Sequence, residues 1–408
     1  MRKSKKTVAV IGGGASGLVA ALFAADAGCS VVLFEKQKAL GRKLRITGNG
    51  RCNITNRDID ATHYHGHNPM FVKNIFARFG LDATIDFFES IGIPFCEGEG
   101  GRLYPASLQA SSVVKILEYE ARRRGVDVLL HRKVDRIEVS GGGVRLITAG
   151  KEEFDVDSAV LAAGSCAYSP LGASRSGYEL AISLGHRVYE PFPSILPLTI
   201  PLKALHRLEG IKWDCRLSAI LDGKIIAQSE EETLFTRYGI SGPAALEISR
   251  AVNEAMTRGA IPEVNIDFFP RMDSNALMSL LDSLWDDGDR PIGFSLLGIL
   301  KERMPAVVLH VIGIDTEMPV RAATAAQRSA IAAALKDFRV VPGEPRGFGE
   351  AVVAAGGVDV DQIHPATMES KIARGVHITG ELLDIDGDSG GYNLQFAWST
   401  GAIAGMAQ

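Results

Sequence analysis

A glycine-rich turn near the start of the sequence has the spacing that binds the pyrophosphate of a dinucleotide. The sequence GGGASG at 12–17 follows the apolar run TVAVI and opens an apolar helical pattern. Gly12 permits a tight turn, Gly14 lets the backbone approach phosphates, and Gly17 allows helix and strand to pack closely. Glu35 follows 35 − 17 = 18 residues later, at the end of the next predicted strand, where its carboxylate would accept hydrogen bonds from ribose hydroxyls. Together these features predict a dinucleotide-binding β-α-β unit rather than a chance glycine-rich turn.

Two later segments favour FAD over a nicotinamide dinucleotide as the resident cofactor. The chain has no second GxGxxG sequence, so it does not resemble reductases with separate flavin and pyridine-nucleotide domains. A predicted buried strand ends at Ala163 and Gly164, and a late segment begins with Gly380 and Glu381. Flavoproteins of the two-dinucleotide type are similar in both respects, because a late segment returns to cover the ribityl and isoalloxazine end of a long cofactor.

A basic block at 41–56, GRKLRITGNGRCNITN, has side chains suited to phosphates and to an anionic ring. Gly48 and Gly50 would let the backbone pass close to a flat ring. The block carries four cations within ten residues, which are Arg42, Lys43, Arg45 and Arg51. Their charge would neutralise phosphates and stabilise a reduced, anionic flavin. A solvated basic loop is the alternative interpretation.

The sequence GGYNLQ at 390–395 predicts a second helix start beside the ring. Gly391 allows close approach, and unbonded N–H groups of Asn393, Leu394 and Gln395 would point at the flavin O2 region. A helix N-terminus at this place would stabilise negative charge on the ring. A simple first turn on a surface helix is the alternative.

Cys52 is the candidate for proton transfer to a substrate carbon. The neighbouring cation Arg51 could lower the pKa of the Cys52 thiol. A buried structural cysteine is an equally good interpretation.

Two patterns of metal-ligating residue types are incomplete. His63, His65 and His67 alternate and could share a strand face, but no nearby cysteine or carboxylate cluster in the sequence completes a site. The run DIDGD at 384–388 lacks the glycine and the glutamate of a calcium loop. We therefore predict no metal.

Composition limits the class of protein. The length of 408 residues suggests two or three domains. The 44 basic and 48 acidic side chains give a net charge of 44 − 48 = −4, which argues against a protein that binds nucleic acid mainly through its overall charge. Five scattered cysteines without a CxxC pair fit a reducing cytoplasm. No stretch approaches the roughly 20 apolar residues of a membrane span. We expect a globular cytoplasmic protein.

The elements that must position these residues follow a βαβ pattern. Strands at 7–11 and 30–35 flank a helix at 16–27, which predicts a parallel sheet covered by helices. Short strands between 126 and 156 predict a meander. The proline-rich stretch PFPSILPLTIP, from 191, predicts a domain crossing into a β-rich segment that ends near 270. Helical patterns from about 273 to 336 and a glycine-rich tail from about 340 complete the chain.

Several blocks resemble the motifs of one bacterial flavoprotein family. Residues 41–56 resemble its GRK…SGxGRCNxTN block, and 236–243, 364–371 and 380–401 resemble further blocks in the expected order. The sequence is identified as a member of the HI0933-like, or BaiN/RdsA-type, NAD(P)/FAD-dependent oxidoreductases. One departure is Ala354-Ala355, where a threonine is expected, and it puts one cofactor- or substrate-facing hydroxyl in doubt.

The resemblance implies an α/β protein with a Rossmann-like FAD-binding fold of the two-dinucleotide type, an inserted β-barrel-like domain and a small helical domain. The expected domains are the first part of the FAD-binding domain at 1–190, the β-rich domain at 191–270, the helical subdomain at 271–340 and the C-terminal part of the FAD-binding domain at 341–408. The residues predicted to bind FAD are Gly12, Gly14, Ala15, Ser16, Gly17, Glu35, Lys36, Arg42, Lys43, Gly50, Arg51, Val134, Ala163, Gly164, Gly380, Glu381, Gly391, Asn393, Leu394 and Gln395.

The resemblance also implies the reaction. Hydride would pass through flavin N5 to or from an unsaturated or amine substrate, with NADH or NADPH as a transient donor.

The first alternative is a ribosomal RNA dihydrouridine synthase. Residues 195–339 contain 16 basic and 19 acidic side chains, so their net charge of 16 − 19 = −3 does not support an RNA platform. The basic candidates that remain are Arg122, Arg123, Arg124, Arg2, Lys3, Lys5 and Lys6. The second alternative is a flavin-binding redox module without turnover.

Overall fold

The computed structural model describes residues 5–408, which form two compact units. The first unit contains the chain up to Phe192 together with Val352–Gln408, and the second contains Pro193–Ala351. Arg2 and Lys3 of the predicted basic patch lie outside the described residues. Both ends of the described chain therefore belong to the same unit.

The helices and strands are numbered in chain order. The helices are α1 (Ala15–Asp26), α2 (Phe71–Phe76), α3 (Leu81–Ser90), α4 (Ala110–Arg123), α5 (Ser176–Ser183), α6 (Lys203–His206), α7 (Pro243–Thr257), α8 (Ser274–Leu284), α9 (Ile292–Ser295), α10 (Met304–Val311), α11 (Ala325–Lys336) and α12 (Tyr392–Met406). The strands are β1 (Thr7–Ile11), β2 (Ser30–Glu35), β3 (Thr55–Asn56), β4 (Tyr64–His65), β5 (Phe95–Glu97), β6 (Arg102–Pro105), β7 (Asp127–Leu130), β8 (Val134–Ser140), β9 (Gly143–Thr148), β10 (Glu153–Val156), β11 (Ser158–Leu161), β12 (Val188–Ile195), β13 (Leu198–Thr199), β14 (Lys212–Leu221), β15 (Lys224–Thr236), β16 (Gly239–Ser241), β17 (Glu263–Asp267), β18 (Phe338–Val340), β19 (Val353–Val358), β20 (Val376–Ile378) and β21 (Asp386–Gly387). Among residues 5–408, no helix is long and apolar enough to cross a membrane.

A five-stranded parallel sheet is the centre of the first unit. Its strand order is β20-β11-β1-β2-β7, and α1 connects β1 to β2. Gly28, at φ +90°, follows the end of α1, as its position in the sequence predicts. The predicted β-α-β unit is therefore confirmed.

The predicted four-stranded meander is wrong at its first strand. β7 pairs in parallel with β2 and forms an edge of the main sheet, whereas only β8, β9 and β10 form the antiparallel meander. The partner strand of β7 is β2, which lies about 95 residues earlier in the chain. A four-residue apolar run does not indicate such a distant partner.

Helices α1 and α12 pack with their backbones close together. A Cβ atom added at Gly401 would collide with the Ser16 carbonyl oxygen, and one added at Gly405 would lie 2.5 Å from the Ala20 carbonyl oxygen. Thr400 Oγ1 also accepts a hydrogen bond from the Gly380 amide at 3.0 Å. The last helix is thus fixed against the helix that starts at the glycine-rich turn.

The second unit contains a six-stranded antiparallel sheet with the order β13-β16-β15-β14-β17-β18. Cys215, Leu217 and Ala219 alternate along β14 and are fully buried. The β-rich prediction for this part missed α7, which begins at Pro243 and lies between β16 and β17. The parallel sheet of the first unit and this antiparallel sheet, which forms a half-barrel, confirm the predicted α/β fold class. The finer division into a β-rich domain and a helical subdomain stays a prediction.

We predict that Gly401→Ala destabilises the protein by about 1–3 kcal/mol, because the new methyl group overpacks the α1–α12 contact. Helix propensity alone would favour alanine by about 1 kcal/mol, so the two effects have opposite signs. Urea unfolding measures the difference, with Gly150→Ala as the control, since a Cβ atom there meets only ordinary contacts at 3.7 Å. A Gly401→Ala protein as stable as the wild type would contradict the close packing.

Candidate functional site

A cavity in the first unit brings together most of the predicted cofactor-binding residues. It is bordered by the turn after β1, the end of β2, the block after residue 40 and the start of α12. The predicted residues that line it are Gly12, Gly14, Ala15, Ser16, Glu35, Lys36, Arg42, Lys43, Ala163, Gly164, Glu381, Asn393 and Leu394. The predicted residues outside this lining are Gly17, Gly50, Arg51, Cys52, Val134, Gly380, Gly391 and Gln395.

The glycine-rich turn has the geometry of a phosphate cradle. Gly12 has φ +111°, and a Cβ atom there would collide with the Ala162 carbonyl oxygen. A Cβ atom at Gly17 would collide with the Gly12 carbonyl oxygen, whereas one at Gly14 would meet nothing within 4 Å. Gly14 is the N-cap of α1 and makes no side-chain cap, so the helix presents its first amides to the cavity. The turn therefore fits an anionic diphosphate.

Glu35 is held rigidly at the end of β2. Its Oε2 atom accepts a hydrogen bond from the Gly13 amide at 2.9 Å, and its Oε1 atom accepts one from the Gln37 amide at 2.7 Å. Arg42 Nη1 in turn donates to Gln37 Oε1 at 2.7 Å. Each carboxylate oxygen keeps a second lone pair, so Glu35 is oriented to receive the hydroxyls of a ribose.

Lys43 and Glu381 form an ion pair in the cavity wall. The Lys43 Nζ atom lies 2.6 Å from Glu381 Oε2, and Glu381 Oε1 accepts a hydrogen bond from the Ala354 amide at 3.2 Å. The pair joins the basic block to the C-terminal segment. Ala354 therefore contributes through its backbone at the position where the family resemblance led us to expect a threonine hydroxyl.

The four cations of the basic block do not act as one group. Arg42 and Lys43 line the cavity, but Arg45 pairs with Glu118 at 3.2 Å and the Arg51 guanidinium lies 4.7 Å from the centre of the Tyr104 ring. The prediction of a fourfold cationic surface is therefore wrong. The side chains of Arg42 and Arg51 diverge because the backbone between them turns sharply at Gly48, Asn49 and Gly50, which all have φ above +50°.

Cys52 does not have the environment of a reactive thiol. Its side chain is fully buried and lies outside the cavity lining. Burial raises the pKa of the Cys52 thiol to about 12, and a hydrogen bond with Thr47 offsets only part of that effect. The expectation that Arg51 lowers this pKa is wrong, because the Arg51 side chain is directed to the Tyr104 ring instead.

The start of α12 reaches the cavity at Asn393 and Leu394. Its N-cap residue Gly391 has φ +108°, and a Cβ atom there would lie 2.6 Å from the Thr55 carbonyl oxygen. The Asn393 side chain is engaged with the preceding loop, because Nδ2 donates to the Gly387 carbonyl at 2.7 Å and Oδ1 accepts from the Gly387 amide at 2.9 Å.

Gln395 corrects one part of the sequence prediction. Its amide is not free, since it donates to the Gly391 carbonyl at 3.0 Å. Its side chain is buried and bonds to Thr55, Thr84 and Ser399. Gln395 therefore stabilises the interior beneath α12 and presents no donor to a ligand.

The distance between the two helix starts fits a dinucleotide cofactor. Ser16, at the start of α1, contacts Gly401 of α12. Asn393, at the start of α12, lies eight residues before Gly401, which is a distance of about 12 Å along the helix at a rise of 1.5 Å per residue. A diphosphate at the start of α1 and a flavin ring at the start of α12 would thus be joined by a ribityl chain between them. FAD fits this cavity.

A second, smaller cavity adjoins the first at Gly12, Glu35, Lys36 and Ala163. Val134, predicted as a cofactor contact, lies in its wall. The other lining residues are Ile11, Phe34, Arg132, Lys133, Ser176 and Leu180. Its place beyond Glu35 suits an adenosine end.

The loop from Ser165 to Ala173 was missed by the sequence analysis. Tyr168, Leu171 and Gly172 line the main cavity, and Tyr168 has a left-handed backbone with φ +66°. Such strain in a non-glycine residue is concentrated at functional sites. The signal available in the sequence was the Pro170 and Gly172 pair in the segment that follows the buried strand β11.

The predicted absence of a metal stays a prediction. Within residues 5–408, no group of three or more His, Cys, Asp or Glu side chains has the arrangement needed to hold a metal ion. His63 and His65 instead contact Asp388, and His67 contacts Asp384.

Comparison with known proteins confirms the family resemblance. The model of the HI0933-like protein Rossmann domain matches residues 6–407. The chain is 36% identical to the 3-dehydro-bile acid delta(4,6)-reductase of Clostridium scindens, over 98% of both chains. It is 30% identical to the ribosomal RNA dihydrouridine synthase of Escherichia coli, over 96% of this chain and 95% of that one. The fold also resembles that of the 3-ketosteroid delta1-dehydrogenase of Sterolibacterium denitrificans, with a TM-score of 0.53 and 12% identity over 98% and 99% of the two chains.

We predict that Cys52 in the native protein reacts with iodoacetamide at pH 8 at least about a hundredfold more slowly than a free cysteine, because the reactive form is the thiolate. Peptide mass spectrometry after timed labelling measures the rate at each cysteine. Half-buried Cys96 is the internal comparison, and unfolding in urea should make all five cysteines react. Labelling of native Cys52 as fast as Cys96 would contradict its burial.

Proposed function

The chain belongs to the HI0933-like family and is an FAD-dependent oxidoreductase, and from this premise we propose that it reduces a conjugated carbon–carbon double bond in a small, largely apolar substrate, with NADH or NADPH as the electron donor. The observation that carries this proposal is the mixed chemistry of one cavity. Its charged lining suits the phosphates and ribose of FAD, and its apolar lining suits a hydrocarbon skeleton.

The cavity is lined by both charged and apolar residues. Glu35 ends β2, Lys36, Arg42 and Lys43 follow it, and Glu381 belongs to the C-terminal segment. The larger apolar lining residues include Leu44, Leu171, Val352, Val353 and Leu394. A pocket with few convergent polar groups and mainly apolar walls is typical of a site for a small organic ligand.

The relatives favour a reductase. A relative that shares 36% identity over nearly the full length is named for the reduction of a steroid that carries conjugated double bonds. We infer the same class of reaction for this chain, without assigning the individual substrate.

The residues of this chain bind and orient the cofactor. The α1 amides would hold the diphosphate, Glu35 the adenine-side ribose and the α12 start the pyrimidine edge of the ring. Bound FAD supplies hydride chemistry, taking a hydride from a nicotinamide and giving one to an electron-poor carbon. The Lys43–Glu381 pair would hold the two chain segments together around the ribityl chain, and the loop at Tyr168 would limit the access of water.

The ionic contacts of the arginine run favour a small molecule over RNA. Arg123 and Arg124 both pair with Glu120, and Arg124 also pairs with Asp26 at 2.7 Å. The Lys6 Nζ atom donates to the Gln408 carbonyl at 3.1 Å. Most of the candidate basic patch within residues 5–408 is therefore occupied by internal contacts.

We predict that anaerobic NADH or NADPH bleaches the visible absorbance of the FAD-loaded protein, and that a 3-keto-4-ene steroid added afterwards restores it. The reason is that the reduced ring would deliver hydride to the β-carbon of the enone, while the α-carbon takes a proton. Stopped-flow absorbance follows both steps, and the saturated ketone is the control addition.

Three other outcomes would contradict the proposal. Absence of bleaching with both donors would favour a flavin-binding module or an oxidase. Recovery of colour with unmodified ribosomal RNA but not with the enone would favour the RNA alternative. Recovery with the saturated ketone would show that the double bond is not the reacting group.

We predict that Glu35→Gln weakens FAD binding by about tenfold to a hundredfold, since a hydrogen bond to a charged group contributes about 1.5–3 kcal/mol. Titration of the cofactor-free protein with FAD, followed by protein fluorescence, gives the dissociation constants. Glu118→Gln is the matched control, because Glu118 pairs with Arg45 and does not line the cavity. Equal losses in both variants would contradict a direct role for Glu35.

A further inference from the structure

Three side chains beside the start of α12 form a compact ionic cluster. The two Asp388 carboxylate oxygens lie between two imidazoles, with Oδ2 3.0 Å from His63 Nδ1 and Oδ1 2.6 Å from His65 Nε2. The other His63 ring nitrogen lies 3.3 Å from Asp58 Oδ2. The Asp388, His63 and His65 side chains are 20%, 26% and 31% exposed, so the solvent reaches the cluster but does not surround it. We call these three residues the His–Asp clamp.

The clamp is attached to the loop that leads into α12. The Asp388 amide donates to the His63 carbonyl at 2.9 Å, and the Asp388 carbonyl accepts from Asn393 Nδ2 at 3.2 Å. The His63 ring stacks on the Tyr392 ring, with 4.3 Å between the ring centres. Asn393 lines the cavity, so the stacked Tyr392 is the immediate chain neighbour of a residue in the cavity wall.

The neighbouring strands β3 and β4 also hold this loop. The Tyr64 hydroxyl donates to the Tyr392 carbonyl at 3.0 Å, and Asn56 Nδ2 donates to the Gly390 carbonyl at 3.1 Å. β4 and β21 pair through His65 and Asp386. These neutral contacts fix the loop at any pH, whereas the His–Asp clamp depends on protons.

We propose that the His–Asp clamp is a positioning device that holds the start of α12 against the cofactor and loosens as His63 loses its proton. Asp388, His63 and His65 are positioning residues, because they touch the loop and Tyr392 but not the cavity. The inference rests on the proposal that the start of α12 faces the flavin.

The direction of the effect follows from the charges that face the clamp. Burial disfavours the charged His63, but its contacts with Asp388 and Asp58 outweigh burial and raise the His63 pKa above its ordinary value. The other titratable groups around the clamp are Asp386, Tyr64 and Tyr392. Burial raises the Tyr64 pKa well above its ordinary value, so Tyr64 stays neutral across the relevant range.

A raised histidine pKa stabilises the folded state at low pH. The contribution of His63 to the stability of the folded state is complete below the pKa that His63 has in the unfolded chain. It is lost as the pH rises through the pKa that His63 has in the folded chain. A charge-assisted hydrogen bond is roughly twice as strong as a neutral one, so deprotonation weakens the clamp without abolishing it. The loop at 387–393 should therefore be held most firmly in mildly acidic solution.

Two measurements on the FAD-loaded full chain between pH 5.5 and 8.5 test the proposal. Hydrogen exchange of the peptide that covers 386–395, corrected for the intrinsic pH dependence of exchange, should accelerate as the pH rises through the His63 pKa. The FAD dissociation constant, measured by the fluorescence of released FAD on dilution, should rise over the same range by about threefold to tenfold.

Asp388→Asn should make both transitions smaller and move them to lower pH, because it deletes one of the two carboxylate charges that contact His63, the other being that of Asp58. His65→Gln is the second variant and should keep both transitions, because it leaves the Asp388–His63 contact in place. His310→Gln is the control, since His310 is exposed on α10 of the second unit, and both transitions should persist in it.

The outcomes separate the inference from the proposed function. A wild-type protein without either transition, or an Asp388→Asn protein in which both transitions are unchanged in size and in pH, would overturn the inference. A pH-dependent loop with a pH-independent FAD dissociation constant would also overturn it, because the clamp would then act on the loop alone. Failure to bind FAD at any pH would instead contradict the proposed function.

Discussion

The close approach of α1 and α12 is the constraint on which the cavity depends. Glycine at 401 and 405 lets the last helix lie directly against the backbone of the first, so residues nearly 400 positions apart form one wall. The start of α1 and the start of α12 then lie at a separation set by the rise of a helix. Two positive helix ends that face one cavity suit a cofactor with a diphosphate in its middle and a ring that becomes anionic at its end.

Two sets of polar contacts at or beside the cavity join segments that are distant in the sequence. Lys43 pairs with Glu381, and Asp388 contacts His63 and His65. Pairing holds segments from both ends of the chain together, because each pair joins the first hundred residues to the last thirty. Lys36 and Arg42, which donate to the neutral side chains of Ser174 and Gln37, add positive potential in the cavity to that of the helix starts. The part that comes from the helix starts is carried by rigid main-chain groups, which need no rearrangement when the ligand becomes reduced.

Local patterns predicted the parts of the molecule that depend on local interactions. The glycine-rich turn, α1, the acid at Glu35 and the helical pattern after residue 273 follow from short-range sequence rules, and the structure confirms them. The sequence did not predict β7 as a sheet edge, α7 within a β-rich segment or the direction of Arg51, because each depends on a distant partner. The expected effect of Arg51 on the Cys52 thiol failed for the same reason, since adjacency in sequence did not bring the two side chains together, whereas the alternative of a buried cysteine agrees with the structure.

A structure of the chain crystallised with FAD would test the central claim most directly. The account predicts continuous electron density from the first amides of α1 to Asn393 and Leu394 at the start of α12, with the ring beside the apolar segment at Val352 and Val353. Density for the ring at any other place, or a protein that is colourless and takes up no FAD, would contradict it.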